Sequence, residues 1–154
     1  MEVSSCLGHQ LLADALGGAV RPAARPEIGL YEVGLNQAGR THPLFAGLPA
    51  TERYLQWHVA EVVQPPPGAA VLAHSKDCAI QALAVGERAF GLQFHAEVDV
   101  PTLDDWFADP STHEAMIERR GPEGPERYLA DARAHMAALN AAARQLFLNF
   151  RALI

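Results

Sequence analysis

The sequence predicts an α/β fold. Residues 28–95 contain several runs in which apolar and polar side chains alternate, as they do in strands. The segment from about residue 126 to the end instead repeats apolar residues at helical spacing. The chain has 154 residues, 49% of them hydrophobic. This is enough for one hydrophobic core, and the chain is too short to indicate two domains. We therefore expect a single domain over residues 1–154.

The first predicted helix begins directly after Cys6. Gly17-Gly18 ends it. Ser4 and Gly8 flank Cys6 two residues away on either side, which is the spacing of a sharp strand-to-helix turn that carries a nucleophile. Small residues are needed there because the strand and helix backbones approach closely. The apolar residues that recur at helical spacing are Leu7, Leu11, Leu12, Ala15 and Leu16.

The middle of the chain is predicted to form strands, at residues 28–35, 54–63, 71–73, 79–85 and 88–95. A change of alternation near Leu30-Tyr31 predicts a bulge in the first of these strands. The run Pro65-Pro66-Pro67-Gly68 ends the second strand. Gly86-Glu87 is the expected turn between the last two, so the last three strands are predicted to form a meander. Residues 21–26 and 42–49 are predicted to be connections.

Helices are predicted after residue 97. A short helix is expected at residues 101–107, and Ser111 followed by Glu114 has the spacing of a capping box for another. Residues 121–125 are rich in glycine and proline and interrupt the pattern. An alanine-rich helix then runs from about residue 126, and its apolar face is expected to pack on the core. That face comprises Leu129, Met136, Leu139, Ala143, Leu146, Phe147 and Phe150.

Three residues indicate nucleophilic catalysis. Cys6 stands where a helix begins, and the free N–H groups and positive dipole end there favour the nucleophilic thiolate. His95 stands at the end of the strand predicted at 88–95, and Glu97 points to the same side if the backbone stays extended. A carboxylate beside an imidazole fixes its tautomer and stabilises the imidazolium. We expect Cys6 to be the nucleophile, His95 the general acid and base, and Glu97 the group that orients His95.

Two other interpretations apply to these residue types. A cysteine in an apolar segment is usually a buried packing residue, and this is the interpretation we give to Cys78. His95 and Glu97 are also potential metal ligands. However, no third histidine or carboxylate stands at a ligand spacing, so no metal site is predicted.

The two segments that carry these residues resemble the catalytic motifs of class I glutamine amidotransferases. The segments are Cys6-Leu7-Gly8-His9-Gln10 and Gln93-Phe94-His95-Ala96-Glu97. The family has a Gly-x-Cys-x-Gly elbow, commonly continued as Cys-Leu-Gly-His-Gln, and a later His-Pro-Glu. Residues 26–29, 42–49 and 56–58 are similar to the branch related to the amidotransferase domain of GMP synthase. Ser4 and Ala96 depart from the family pattern, which has glycine and proline at these positions.

The resemblance implies a three-layer α/β/α fold and hydrolysis of the glutamine side-chain amide. The Cys6 thiolate attacks the amide carbonyl, and the backbone N–H of Leu7 donates to the oxyanion. His95, held by Glu97, protonates the departing ammonia and activates the water that releases glutamate from the thioester. The ammonia then passes to a partner synthase. No cofactor is implied.

The resemblance also implies the substrate contacts and the role of one histidine. Gln10 matches a residue that contacts bound glutamine. Backbone N–H groups of Val59 and Ala60 match those that help hold the substrate's α-carboxylate, although relatives tend to have Gly-Asp there. His9 is expected to pack or hydrogen bond within its helix. Solvated or structural roles are the expectation for the isolated histidines His42, His74, His113 and His135.

The resemblance covers the C-terminal part of the family's domain. The family has strands, helices and a Gly-Gly loop before the elbow, and that loop supplies half of the oxyanion hole. This chain begins five residues before Cys6. We therefore expect residues 1–154 to be a single partial domain that lacks the N-terminal strands and helices. Because the elbow strand would lack parallel neighbours, self-association through an exposed N-terminal sheet edge is also expected.

Three function classes follow from these observations. The favoured one is a glutamine amidotransferase or glutaminase. The alternatives are a γ-glutamyl peptidase or hydrolase with the same triad, and a truncated, non-catalytic remnant. The net charge of −6 and the absence of a basic stripe argue against a nucleic-acid partner. Two cysteines outside a Cys-x-x-Cys pair suit a reducing cytoplasm, and no apolar run is long enough to span a bilayer. We expect a cytoplasmic protein.

Overall fold

A computed structural model describes residues 2–154 and contains one curled, six-stranded mixed sheet. Its strands are β1 (Glu2–Ser5), β2 (Ala19–Leu35), β3 (Thr51–Gln64), β4 (Ala69–His74), β5 (Ala82–Val85) and β6 (Ala89–Leu92). The order across the sheet is β1-β6-β5-β4-β2-β3. β1 pairs in parallel with β6, and the other described pairs are antiparallel. The predicted meander is confirmed as β4-β5-β6.

Helices cover both faces of the sheet. They are α1 (Leu7–Ala15), α2 (Gln37–Thr41), α3 (Val100–Ala108), α4 (Pro110–Arg120) and α5 (Gly124–Ala152), with one 3₁₀ turn at Pro43–Phe45. The larger core cluster joins the sheet to α3, α4 and α5 through residues such as Phe94, Leu103 and Leu139. A smaller cluster joins α1 to the other face, around Ala13 and Leu83. The three-layer α/β/α arrangement is therefore confirmed.

The strand predicted at residues 28–35 is much longer in the structure. The prediction of a connection at residues 21–26 is wrong, because β2 begins at Ala19 and continues through Pro22 and Pro26. β2 pairs with β4 only at Gly34 and Leu35, so one side of its first half carries no partner strand and tolerates prolines. The two register shifts between β2 and β3 lie at Ala19/Val20 and between Pro22 and Glu27. Pairing is continuous from Glu27 to Gly34, so the bulge predicted near Leu30 is absent.

The strand predicted at 88–95 ends earlier, at Leu92. The following backbone leaves β5 and crosses to β3. Gln93 N–H donates to the Gln81 carbonyl at 2.8 Å, and His95 N–H donates to the Leu55 carbonyl at 2.8 Å. His95 therefore lies in a two-residue bridge to β3 rather than at the end of β6.

The helix caps and the buried face of α5 differ in part from the predictions. Aspartates cap both short helices: Asp99 accepts from the Thr102 N–H, and Asp109 accepts from the Ser111 N–H. The predicted capping box at Ser111 is therefore wrong. α5 buries Met136, Leu139 and Leu146 as predicted, but the Phe147 side chain is 57% exposed.

The strand that leads to Cys6 lies at an edge of the sheet. The expectation that this strand lacks parallel neighbours is wrong on one side, because β1 pairs in parallel with β6, whereas its other side has no partner among the described strands. Val3 on β1 is 38% exposed, and next to it lies an apolar groove that also involves Leu44, Phe147 and Phe150. This edge is the surface at which the sequence predicts self-association.

Candidate active site

Cys6 occupies a tight turn between β1 and α1. Its φ of 46° is in the left-handed region, and it is the one non-glycine residue with positive φ in the described part of the chain. Such strain is typical of a nucleophile held at a strand-to-helix turn. A Cβ built on Gly8 would lie 2.7 Å from the Ser4 Cβ, so the predicted need for small residues on both sides of Cys6 is confirmed. Ser4 fits because its hydroxyl turns toward the Phe90 carbonyl, 3.4 Å away.

His95 and Glu97 lie beside this turn and form a hydrogen bond with each other. Glu97 Oε1 is 2.7 Å from His95 Nδ1 and accepts a second hydrogen bond from the Ser5 hydroxyl at 3.2 Å. Ser5 directly precedes Cys6, so it ties the carboxylate to the turn that carries the thiol. The Trp106 ring contacts the His95 ring edge-on at 5.2 Å. Because Nδ1 is bonded to Glu97, Nε2 is the nitrogen that remains for Cys6.

The electrostatics of this group favour a charged imidazole. Burial lowers the pKa of His95, but hydrogen bonds with Cys6 and Glu97 and the charge of both outweigh burial and raise that pKa to about 9. Burial likewise raises the pKa of Glu97, but the hydrogen bond and charge of His95 outweigh it and lower that pKa. The arrangement therefore stabilises an imidazolium between a carboxylate and a thiol.

The Cys6 sulfur has two further polar neighbours. The Trp57 carbonyl oxygen, 3.6 Å from Sγ, accepts from the thiol form. Gln93 Nε2, 3.8 Å from Sγ, donates to the sulfur and suits the thiolate form. An open cavity of about 300 Å³ adjoins the sulfur and is lined by Cys6, Trp57, His95, Trp106 and Thr112.

The predicted substrate contacts lie next to this group. Leu7 is the first residue of α1, so its N–H has no partner within the helix and is available to an oxyanion. Gln10 Nε2 donates to the Ala60 carbonyl at 2.8 Å and to Gln93 Oε1 at 3.2 Å. Val59 lies opposite the register shift between β2 and β3, where it has no paired residue on β2.

The geometry and the comparisons with known proteins agree. A family model described as glutamine amidotransferase class-I matches residues 5–108. The chain belongs to this family. The match includes the elbow at Cys6 and the segment of His95 and Glu97, so the resemblance seen in the two motifs is confirmed at the level of the family.

Several relatives of this amidotransferase-family chain are named for GMP synthase. It is 42% identical over 94 residues to a subunit of GMP synthase (glutamine-hydrolyzing) from Sulfurisphaera tokodaii, covering 60% of this chain and 48% of that protein. It is 36% identical over 140 residues to GMP synthase (glutamine-hydrolyzing) of Thermomicrobium roseum, covering 80% of this chain and 26% of that protein. The chain thus spans about half the length of the GMP synthase subunits it matches.

A solved structure shares the fold over nearly the whole chain. It is a glutamine amidotransferase from Thermotoga maritima, with a TM-score of 0.81 and 28% identity. The alignment covers 96% of this chain and 61% of that one. None of the helices in residues 2–154 is both long enough and apolar enough to cross a membrane.

Several residues around the candidate nucleophile of this amidotransferase-family chain were not predicted from the sequence. Gln93 stands within the second motif, yet its contact with Sγ depends on the backbone crossing after β6. Ser5 could have been predicted to lie near the site, because it directly precedes Cys6 in the sequence. Trp106 was expected only as part of a helix, and nothing in its local pattern indicates that α3 lies over His95.

Four further side chains are buried: His9, Glu27, His58 and Cys78. His9 is fully buried against β6, and burial lowers its pKa to about 4, consistent with the predicted packing role. Burial is also the main cause that raises the pKa of Cys78 to about 12, which agrees with its interpretation as a packing residue. Glu27, His58 and Cys78 offer ligand atoms within 4.8 Å of one another. However, hydrogen bonds already occupy the Glu27 carboxylate, and no metal is assigned there.

Proposed function

We propose that this chain hydrolyses the side-chain amide of glutamine through a thioester on Cys6. The observation that carries the proposal is the meeting of Cys6, at a strained helix N-terminus, with the His95–Glu97 pair. Membership of the class I glutamine amidotransferase family supports the same chemistry. The roles assigned to individual residues below belong to the proposal.

The first half of the reaction forms the thioester. The Cys6 thiolate, paired with the His95 imidazolium, attacks the amide carbonyl carbon, and negative charge develops on the carbonyl oxygen. The backbone N–H of Leu7 donates to that oxygen. His95 then gives its proton to the amide nitrogen, the carbon–nitrogen bond breaks, and ammonia leaves. Glu97 holds the imidazole so that Nε2 faces both the sulfur and the leaving group.

The second half releases glutamate. Neutral His95 takes a proton from water, the resulting hydroxide attacks the thioester carbonyl, and the Cys6 thiolate leaves. The substrate is held by the Gln10 amide and by backbone N–H groups at Val59, which has no paired residue on β2, and at the adjacent Ala60. The names of the GMP synthase relatives support transfer of the ammonia to a partner synthase.

One observation favours a second candidate, the hydrolysis of γ-glutamyl amides larger than glutamine. His95 protonates the leaving group in this chemistry, and the cavity beside His95 has an aromatic wall formed by Trp57 and Trp106. Ammonia makes no use of such a wall, whereas the amine half of a γ-glutamyl peptide would pack against it.

The test compares ammonia release from glutamine with amine release from γ-glutamyl peptides by the 154-residue chain. We expect ammonia release that Cys6→Ser abolishes and Cys78→Ser leaves unchanged. Faster turnover of a γ-glutamyl peptide than of glutamine would favour the second candidate. No turnover of either class of substrate would indicate the non-catalytic alternative and contradict the proposal.

A further inference from the structure

A buried polar cluster lies behind the candidate site and takes no part in the chemistry proposed above. Glu27 and His58 are 1% and 3% exposed, and Glu27 Oε2 lies 3.1 Å from His58 Nε2. The carboxylate also accepts from the Ser75 hydroxyl and from Gln81 Nε2, each at 2.6 Å. A charged group at this depth needs such partners, since an unpaired buried charge is strongly destabilising.

The partners of His58 determine where its protons lie. His58 Nδ1 is 3.1 Å from the Ala60 carbonyl oxygen, and a carbonyl only accepts, so Nδ1 carries a hydrogen. On the other side of the ring, a neutral Nε2 and an ionised Glu27 Oε2 would both be acceptors. One proton must therefore lie between these two atoms. Glu27 thereby fixes the ring in the orientation that points Nδ1–H at Ala60.

The Ala60 carbonyl joins this cluster to the candidate substrate contact. Its paired residue on β2 is Pro22, which has no N–H to donate. The carbonyl instead accepts from two side chains, His58 Nδ1 at 3.1 Å and Gln10 Nε2 at 2.8 Å. These two bonds use both of its lone pairs.

The orientation of the Gln10 amide follows from these bonds. Its Nε2 has two hydrogens, one bonded to the Ala60 carbonyl and the other to Gln93 Oε1 at 3.2 Å. Among residues 2–154, no hydrogen bond reaches Gln10 Oε1, so this oxygen is the free acceptor of the amide. Gln93, the second partner, in turn contacts Cys6 Sγ through its own amide nitrogen.

We propose that Glu27 and His58 are positioning residues that fix the Gln10 amide through the Ala60 carbonyl. The amide is held with Oε1 free to accept a hydrogen bond from an N–H group of bound glutamine. The proposal rests on the glutaminase function proposed above for its substrate. The orientation of Gln10, however, is a property of the protein without substrate and can be measured independently.

Two substitutions of His58 separate positioning from general structural support. The side-chain nitrogen of asparagine takes the place of Nδ1, so His58→Asn keeps a donor to Ala60. In His58→Gln the amide nitrogen instead reaches the place of Nε2, and that donor is lost. Cys78→Ala is the matched control, because Cys78 borders the same buried cluster and has no contact with the Ala60 carbonyl.

We expect His58→Gln to raise KM for glutamine about tenfold, the effect of one lost hydrogen bond, while kcat stays within about twofold. His58→Asn and Cys78→Ala should keep KM within about threefold of wild type. Equal KM values in His58→Gln and His58→Asn would overturn the proposal, as would a loss of kcat without a change in KM.

The Gln10 side-chain amide signals in NMR spectra give the readout that does not depend on hydrolysis. They are identified by their disappearance in Gln10→Glu. We expect these signals to shift in His58→Gln and to keep their wild-type positions in His58→Asn and Cys78→Ala. Unchanged Gln10 signals in His58→Gln would overturn the positioning role whatever the chain hydrolyses. A wild-type chain that releases no ammonia, yet shows the expected shifts, would contradict only the glutaminase function.

Discussion

The contact between Gly91 and His9 makes the position of Cys6 sensitive to a single methyl group. Gly91 lies on β6 directly under α1, the helix that begins after Cys6. A Cβ built on Gly91 would lie 2.4 Å from His9 Nδ1, 3.2 Å from Cγ and 3.3 Å from the His9 Cα. Ordinary van der Waals contact begins near 3.4 Å, so Gly91→Ala requires a displacement of about 1 Å.

The environment of His9 decides what is displaced. The ring is fully buried, which restricts its movement to another rotamer, and the His9 Cα is also in tighter than ordinary contact with the added Cβ. We expect α1 to shift away from β6. Overpacking of this kind costs about 1–3 kcal/mol of the free energy of unfolding. A shift of about 1 Å in the nucleophile is expected to reduce glutamine turnover about 10²-fold.

Urea unfolding and the rate of ammonia release measure the two effects. Gly34→Ala is the matched control, since Gly34 also lies in a strand but its nearest neighbours would be 3.5 Å away on the exposed His74 ring. That variant should stay within about 0.5 kcal/mol of wild type. In the double variant Gly91→Ala/His9→Ala, removal of the ring should restore part of the lost turnover. A Gly91→Ala chain with wild-type stability and turnover would refute this account of the α1–β6 contact.

Three further predictions concern charge, thiol reactivity and association. The pKa of His95 is raised to about 9 against the effect of burial, so the stability it contributes is complete below its ordinary pKa of 6.5 and is lost as the pH rises through about 9. Glu97→Gln should lower the His95 titration midpoint in NMR spectra, and an unchanged midpoint would contradict the pairing. A glutamine-like electrophile should label Cys6 in preference to buried Cys78, as measured by peptide mass spectrometry, whereas equal labelling would argue against an activated thiol. The 154-residue chain should self-associate in sedimentation experiments, and Val3→Lys at the exposed β1 edge should reduce this, while a monomeric wild-type chain would contradict the prediction.

Local sequence patterns were sufficient for much of the fold. The turn at Cys6 follows from the small residues around it, and the β4-β5-β6 meander follows from alternation and turn residues. β2 was predicted too short because Pro22 and Pro26 are ordinarily strand breakers. They are tolerated here because β4 does not pair with that half of β2. Whether a strand has a neighbour on a given side is a property of the whole sheet, and no local pattern contains it.

The candidate site likewise contains residues that local sequence patterns predict and contacts that they do not. Cys6, His95 and Glu97 could be proposed from the sequence because each type of side chain has a distinct chemical role and the motifs are specific. The hydrogen bonds that run from Glu27 through the Ala60 carbonyl to Gln10 join elements far apart in the chain. These bonds depend on the register shift opposite Val59, and the bond from Gln10 to Gln93 depends on the backbone crossing after β6. Both are consequences of tertiary packing.

The proposed mechanism requires Cys6 to form a thioester with the γ-carbonyl of glutamine. The most direct measurement is mass spectrometry of the 154-residue chain after rapid acid quenching during incubation with glutamine. We predict a γ-glutamyl adduct on the peptide that contains Cys6, no adduct on the peptide that contains Cys78, and loss of the adduct in Cys6→Ser. Ammonia release with Cys6 unmodified throughout, or release that persists in Cys6→Ser, would contradict the account.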